Sequence, residues 1–279
     1  MKGLDNLICW DPGNRGISKI FPIYEKRYPD FTRKSVQKLI KNVGDVVIIV
    51  GFPINTEEGR YKGETDGPLG AIQLHRTIEK IGGSSRILTI DPYYEAIKSM
   101  ADEVIRIDEI EEGFNPSALV SIEVPGKNPG GYFDLTGNSV YSEEVDMINK
   151  LFMETKAPKI SIGDGGNEIG MGKIKDLIKE NVRKGDEIFS GVESDHLVIS
   201  GTSNWGAYGI ISELSVVKNK NFLHSGKIEE RMLINCLENG LVDGVTKNSE
   251  RSVDGLPSPI LKSFLGLLRD YTDWRISKT

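Results

Sequence analysis

The run Val46-Val47-Ile48-Ile49-Val50, opened by Asp45 and stopped by Gly51, is apolar and β-branched without interruption. A strand with one wet face alternates apolar and polar residues. A run with no alternation fits a strand buried on both faces, as in the middle of a parallel sheet. Similar short runs recur at Ser85 to Ile90, Glu103 to Ile107, Ala118 to Glu123, Ile160 to Ile162 and Asp195 to Gly201. Helix-compatible segments lie among them: Phe31 to Lys41, Pro68 to Ile81, Tyr94 to Asp102, Tyr141 to Lys156, Ile174 to Val182 and Ala207 to Val217. Two more, Lys227 to Asn239 and Ile260 to Tyr271, follow in the C-terminal part. Strands alternating with helices imply right-handed βαβ units. The expected fold class is α/β: a mixed, mostly parallel sheet with helices on both faces, in three layers. No linker or low-complexity stretch interrupts residues 1–279, so a single domain is expected.

In such sheets ligands bind outside the carboxyl ends of the strands. Three of these ends carry acids. After Val46–Val50 the chain runs through Phe52-Pro53-Ile54-Asn55 and a polar loop into Gly63-Glu64-Thr65-Asp66-Gly67-Pro68-Leu69-Gly70. Here Glu64 and Asp66, two apart, either face a metal together, or Asp66 caps the helix that Pro68 begins. Glu123 ends the strand from Ala118, just before the turn Val124-Pro125-Gly126. The densest pattern is Gly163-Asp164-Gly165-Gly166-Asn167-Glu168-Ile169-Gly170-Met171-Gly172. A glycine-rich turn between strand and helix lets backbone N–H groups approach an anion, and a helix N-terminus adds a favourable dipole. Asp164 and Glu168 would repel that anion unless a cation intervened, so a divalent metal bridging them to an anionic substrate is the simplest functional reading. The competing reading is a tight turn with Asp164 or Asn167 as helix cap.

Other segments supply candidates for binding. Arg15, in the turn Asp11-Pro12-Gly13-Asn14-Arg15-Gly16, can hold a carboxylate at two points. Asn204 either caps the helix after Thr202-Ser203 or donates to a substrate carboxylate. The glycine-rich segment from Gly126 to Asn138 is long enough to cover a site. Histidines His75 and His196 read more readily as structural than as ligands.

Composition narrows the function classes. The net charge is −6 and the basic residues are scattered, which argues against a nucleic-acid partner. No stretch reaches membrane-spanning length and no leader-type apolar core opens the chain. Cys9 and Cys236 have no neighbouring cysteine of metal or redox spacing, so a cytoplasmic, reducing compartment is the default expectation. The sequence does not say whether they pair.

Taken together, Gly51-Phe52-Pro53, Glu64-Thr65-Asp66-Gly67-Pro68-Leu69-Gly70-Ala71, Ile122-Glu123-Val124-Pro125-Gly126, the Gly163 to Gly172 block and Ser203-Asn204-Trp205-Gly206, in that order, resemble the D-glutamate cyclase family. Asp11 to Gly16 and Asp243 to Pro257 fit more loosely, and Tyr132 to Gly137 departs from the pattern. The resemblance implies a hydro-lyase that converts D-glutamate to 5-oxo-D-proline and water. It directs Asp66, Glu123 and Asp164 to a divalent metal, magnesium or manganese, with Asp66 and Asp164 catalytic and Glu168 as base. Gly165, Gly166, Asn167, Asn204 and Arg15 would bind the small anionic substrate. A homo-oligomer is compatible with this reading. The rivals are a metal-dependent phosphohydrolase, which would use the same acids, and a non-catalytic small-molecule or metal sensor.

Overall fold

The computed structural model describes residues 2–55, 61–111 and 113–279; the expected polar loop after Asn55 falls in part, at residues 56–60, outside the described residues. Its centre is a six-stranded sheet, and the strand Val46–Val50 is buried at every position, as its unbroken apolar run requires. Ser85–Thr89 and then Val104–Arg106 add on one side, Ala118–Ile122, Lys159–Gly163 and His196–Ile199 on the other. Every pairing in this sheet is parallel; Val50 lies against Ile122 and Gly163 against Ile199. The strand order therefore reverses direction between Val46–Val50 and Ala118–Ile122. This switch point opens the crevice in which such sheets place a ligand.

Helices flank the sheet in a three-layer α/β arrangement. Phe31–Ile40 buries Phe31, Ser35, Val36 and Leu39, one face at helical spacing. Pro68–Lys80 starts with proline at its first turn, after Gly67 at φ 97°. Glu143–Glu154 is capped by Ser142, whose hydroxyl accepts from the Val145 N–H at 3.2 Å. Pro68–Lys80 packs closely on Ser203–Val217: a Cβ on Gly70 would lie 2.7 Å from the Ala207 Cβ. The absence of a side chain there sets how near the two helices come.

Several boundaries differ from the sequence reading. The helix expected from Tyr94 runs Asp91–Lys98, and the one expected from Ala207 begins at Ser203. The last helix extends over Ser258–Ile276. An N-terminal helix, Lys2–Ile8, has too short a pattern to be read in advance. So has the antiparallel ribbon of Pro53–Asn55 with Tyr61–Gly63. Cys9 and Cys236 are buried and unbridged. His75 is buried against the Ser85 hydroxyl at 2.9 Å, a structural contact. Among the described residues no helix is long and apolar enough to cross a membrane.

Candidate active site

The loops at the carboxyl ends of four sheet strands converge on Asp66, Glu123, Asp164 and Ser203. The Ser203 N–H reaches Asp66 Oδ2 at 2.6 Å and Asp164 Oδ2 at 3.0 Å, and the Ser203 hydroxyl donates to Glu123 Oε2 at 2.6 Å. Asp66 does cap a helix, but not the one it precedes. Its Oδ1 accepts from the Asn204 N–H at 2.8 Å, so Asp66 closes the N-terminus of Ser203–Val217. In return Asn204 Oδ1 accepts from Gly67 N–H at 3.1 Å and Gly70 N–H at 2.7 Å, at the start of Pro68–Lys80. Asn204 Nδ2 donates to the Thr65 carbonyl at 3.1 Å. This reciprocal capping satisfies orphan amides of both helices. It also commits Oδ1 and one N–H of the Asn204 amide to the fold, in a residue only 1% exposed, so the side chain has a structural task where a substrate carboxylate was expected from sequence.

Arg15 enters from the N-terminal turn. The Asp11 carboxylate accepts from the N–H groups of Arg15, Gly16 and Ser18 at 3.0, 3.1 and 3.2 Å and so shapes that turn. Arg15 Nη2 then bonds Asp164 Oδ2 at 2.7 Å, Asp254 Oδ2 at 2.8 Å and the Gly201 carbonyl at 2.8 Å. Arg15 Nε is buried and unpartnered. Asp254 sits with Gly255 in the two-residue loop of a hairpin, Ser252–Val253 against Leu256–Pro257, both at positive φ (55° and 75°). Asp-Gly favours that turn. Asp243 braces it, accepting from the Gly255 N–H at 2.8 Å. Glu123 is likewise left-handed, at φ 49°. A non-glycine residue there stores about 1–3 kcal/mol, which the surroundings of functional sites commonly sustain.

The glycine-rich turn departs most from expectation. The Glu168 carboxylate folds back into it, Oε1 accepting from Asp164 N–H (3.2 Å) and Gly165 N–H (2.6 Å), Oε2 from Gly166 N–H (2.7 Å). The anion that these amides cradle is the chain's own. The N–H groups of Gly165 and Gly166 are therefore not open to a substrate. Three of the carboxylate's acceptor positions are thus taken by the turn, and the geometry gives Glu168 the task of placing Asp164. The helix also begins only at Lys175, after a single 3-10 turn at Gly172–Ile174, so no helix N-terminus faces the turn. Gly166 is at φ 101°, and a Cβ there would meet Ile178 Cγ2 at 2.6 Å.

Charge is crowded at this spot. Burial, reinforced by mutual repulsion, pushes the carboxyls of Glu64, Asp66, Glu123 and Asp164 well above the ordinary carboxylate range; Arg15 partly counters this at Asp164. Burial works against the Arg15 charge, but Asp164 and Asp254 hold it firmly protonated. One guanidinium faces at least five acids, which is the setting in which a divalent cation is accommodated. Asp66, Glu123 and Asp164 each offer an oxygen, all within 4.8 Å of one another. The donor set is entirely oxygen, suited to a hard cation. Residues and group thus fit.

Glu123, Asp164 and Arg15 line a cavity of about 510 Å³; Asp66 is not in its lining, but a carboxylate oxygen of Asp66 lies within 4.8 Å of those of Glu123 and Asp164. Asn167 and Glu168 also line it; Asn167 Nδ2 is held by the Phe133 carbonyl at 2.8 Å. The segment from Gly126 to Asn138 does border the site, through Asp134, Leu135 and Thr136. Sequence reasoning did not single out Lys19, Arg183, Lys247 or Asp254, all of which reach the cavity. The dipeptide Asp254-Gly255, which favours a turn, is a local signal that could have found Asp254. Glu64 reaches it too, and no described residue hydrogen-bonds its carboxyl group.

Comparison with known proteins places the chain in a family. The chain is 28% identical over 247 residues to the mitochondrial D-glutamate cyclase of Homo sapiens; the match covers 78% of this chain and 39% of that protein. The chain thus spans about two fifths of the length of the curated relative. The family described as D-glutamate cyclase-like, C-terminal, matches residues 4–269, and to that family this chain belongs.

Proposed function

We propose that the protein is a hydro-lyase that closes D-glutamate to 5-oxo-D-proline with release of water. The observation that carries this is the cluster of Asp66, Glu123 and Asp164 carboxyls, with Arg15 bonded to Asp164, at the floor of a cavity in a chain of this family. The amine nitrogen must attack the γ-carboxyl carbon, a C–N bond forms, a C–O bond breaks, and the ammonium's two surplus protons end on the departing oxygen. Arg15 holds a substrate carboxylate through Nη1, the nitrogen that Asp164 and Asp254 do not occupy. Asn167 accepts from the amine through Oδ1, its Nδ2 being tied to Phe133. Glu64 relays protons from nitrogen to oxygen; burial and its acidic neighbours bring its proton affinity closer to that of an amine. A magnesium or manganese ion held by Asp66, Glu123 and Asp164 supplies, when bound, the Lewis acidity that makes a carboxylate electrophilic. The fold adds orientation, bringing the two ends of a flexible chain together away from bulk water.

Proton NMR of D-glutamate and, separately, L-glutamate, incubated with metal-loaded and chelator-treated protein, tests this. New 5-oxoproline signals from the D isomer, lost on chelation, are expected. Unchanged spectra in every sample would overturn the reading. Phosphate release from model phosphomonoesters with added manganese would then favour the phosphohydrolase that the same acids could support.

A further inference from the structure

We propose that Lys247 is the specificity-determining residue of the site and binds the substrate carboxylate that does not react, exchanging it for Asp134. This rests on the cyclase reading. Among the described residues four cations reach the cavity wall: Arg15, Lys19, Arg183 and Lys247. Arg15 is fixed 2.7 Å from Asp164 Oδ2, so it serves the carboxyl end that reacts at the acidic floor. The other carboxylate of a dicarboxylic amino acid must then be met at the rim. Lys19 and Arg183 are exposed there, where solvent weakens an ionic contact. Lys247 is less exposed, its side chain at 36%, and its Nζ lies 3.8 Å from Asp134 Oδ2, whose side chain is 13% exposed. That separation is an ion pair without a close hydrogen bond, so an entering carboxylate can compete for the ammonium.

The backbone points the same way. Lys247 is at φ 59°, a left-handed conformation that a lysine adopts at a cost and that the Asp243 carbonyl fixes by accepting from its N–H at 2.8 Å. Asp243 also braces the hairpin that carries Asp254, Arg15's partner. One brace thus sets floor and rim together. Asp134 belongs to the covering segment, whose turn it organises through Oδ1, accepting from the N–H groups of Thr136 and Asn138 at 2.9 Å each. The Lys247–Asp134 pair therefore joins the two segments across the mouth, and the incoming carboxylate takes Asp134's place.

The experiment is a cycle of variants and probes on the full chain. Lys247→Gln should raise KM for D-glutamate about tenfold or more, with the loss in KM rather than kcat, as expected for a charge-assisted contact. Lys247→Arg should restore most of it. Asp134→Asn keeps the Oδ1 acceptor of the turn and frees Lys247, so KM should not rise. Binding by calorimetry supplies a readout independent of turnover. Glutarate, with two carboxylates, should weaken about tenfold with Lys247→Gln, whereas 4-aminobutanoate, which lacks the α-carboxylate, should bind both proteins alike. Equal glutarate affinity in the two proteins, or equal weakening of both probes, would overturn the proposal. Absence of turnover by the unaltered protein would remove the cyclase reading, and the Lys247 assignment would still stand or fall on the glutarate comparison.

Discussion

Replacing Asn204 by alanine separates a structural asparagine from a substrate-binding one. The side chain accepts from the amides of Gly67 and Gly70 and donates to the Thr65 carbonyl. Gly67 N–H retains Asp66 Oδ1 at 3.0 Å, so it is not orphaned. Gly70 N–H and the Thr65 carbonyl lose these partners at a position where Asn204 is 1% exposed. Loss of a helix cap costs about 1 kcal/mol. Each buried polar group left without a partner adds about 1–3 kcal/mol. The expected destabilisation is therefore about 3–7 kcal/mol, a large part of the 5–15 kcal/mol typical of a domain. Urea unfolding followed by circular dichroism measures it, as a lower midpoint at constant slope. Protein that remains folded should keep a KM near that of the parent. A stability change under about 1 kcal/mol together with a KM raised tenfold would refute the reasoning and return Asn204 to the substrate.

Two further outcomes follow from the same geometry. Glu168→Gln puts an NH₂ group against amides that need an acceptor, so it should destabilise by about 2–4 kcal/mol as well as lower activity; a variant of unchanged melting temperature but no activity would revive Glu168 as a base. Asp5 is 3% exposed, and burial raises its carboxyl from 3.8 to about 6, so the fold favours the protonated form. Its contribution is complete below pH 3.8 and is lost as pH rises through about 6, a swing of about 3 kcal/mol. Asp5→Asn should thus be the more stable protein at pH 8, with the advantage narrowing towards pH 5, and a pH-independent difference in urea midpoints would contradict this.

The α/β architecture was legible because burial on both faces leaves a mark that needs no partner to be read: the unbroken run Val46–Val50. The places of Asp66, Glu123 and Asp164 were legible for a related reason. Strand ends can be located from local pattern, and in a parallel sheet all these ends lie on one edge. The roles of Glu168 and Asn204 were not. Both are acceptors beside glycine-rich turns, and local pattern does not tell whether such an acceptor faces a ligand or its own backbone. Glu168 turned inward because Gly165 and Gly166 expose amides within reach of its short loop.

Sequence by itself determined where strands end and which turns carry acids. Tertiary structure alone decided which of those groups meet. Asp66 caps a helix 138 residues away, Arg15 bridges acids 149 and 239 residues distant, and Lys247 faces Asp134 across the cavity mouth. Hydrophobic periodicity reports how a segment lies against the core. Hydrogen bonds and ion pairs between loops depend on relative placement to within about 1 Å, and that placement exists only once the layers have packed.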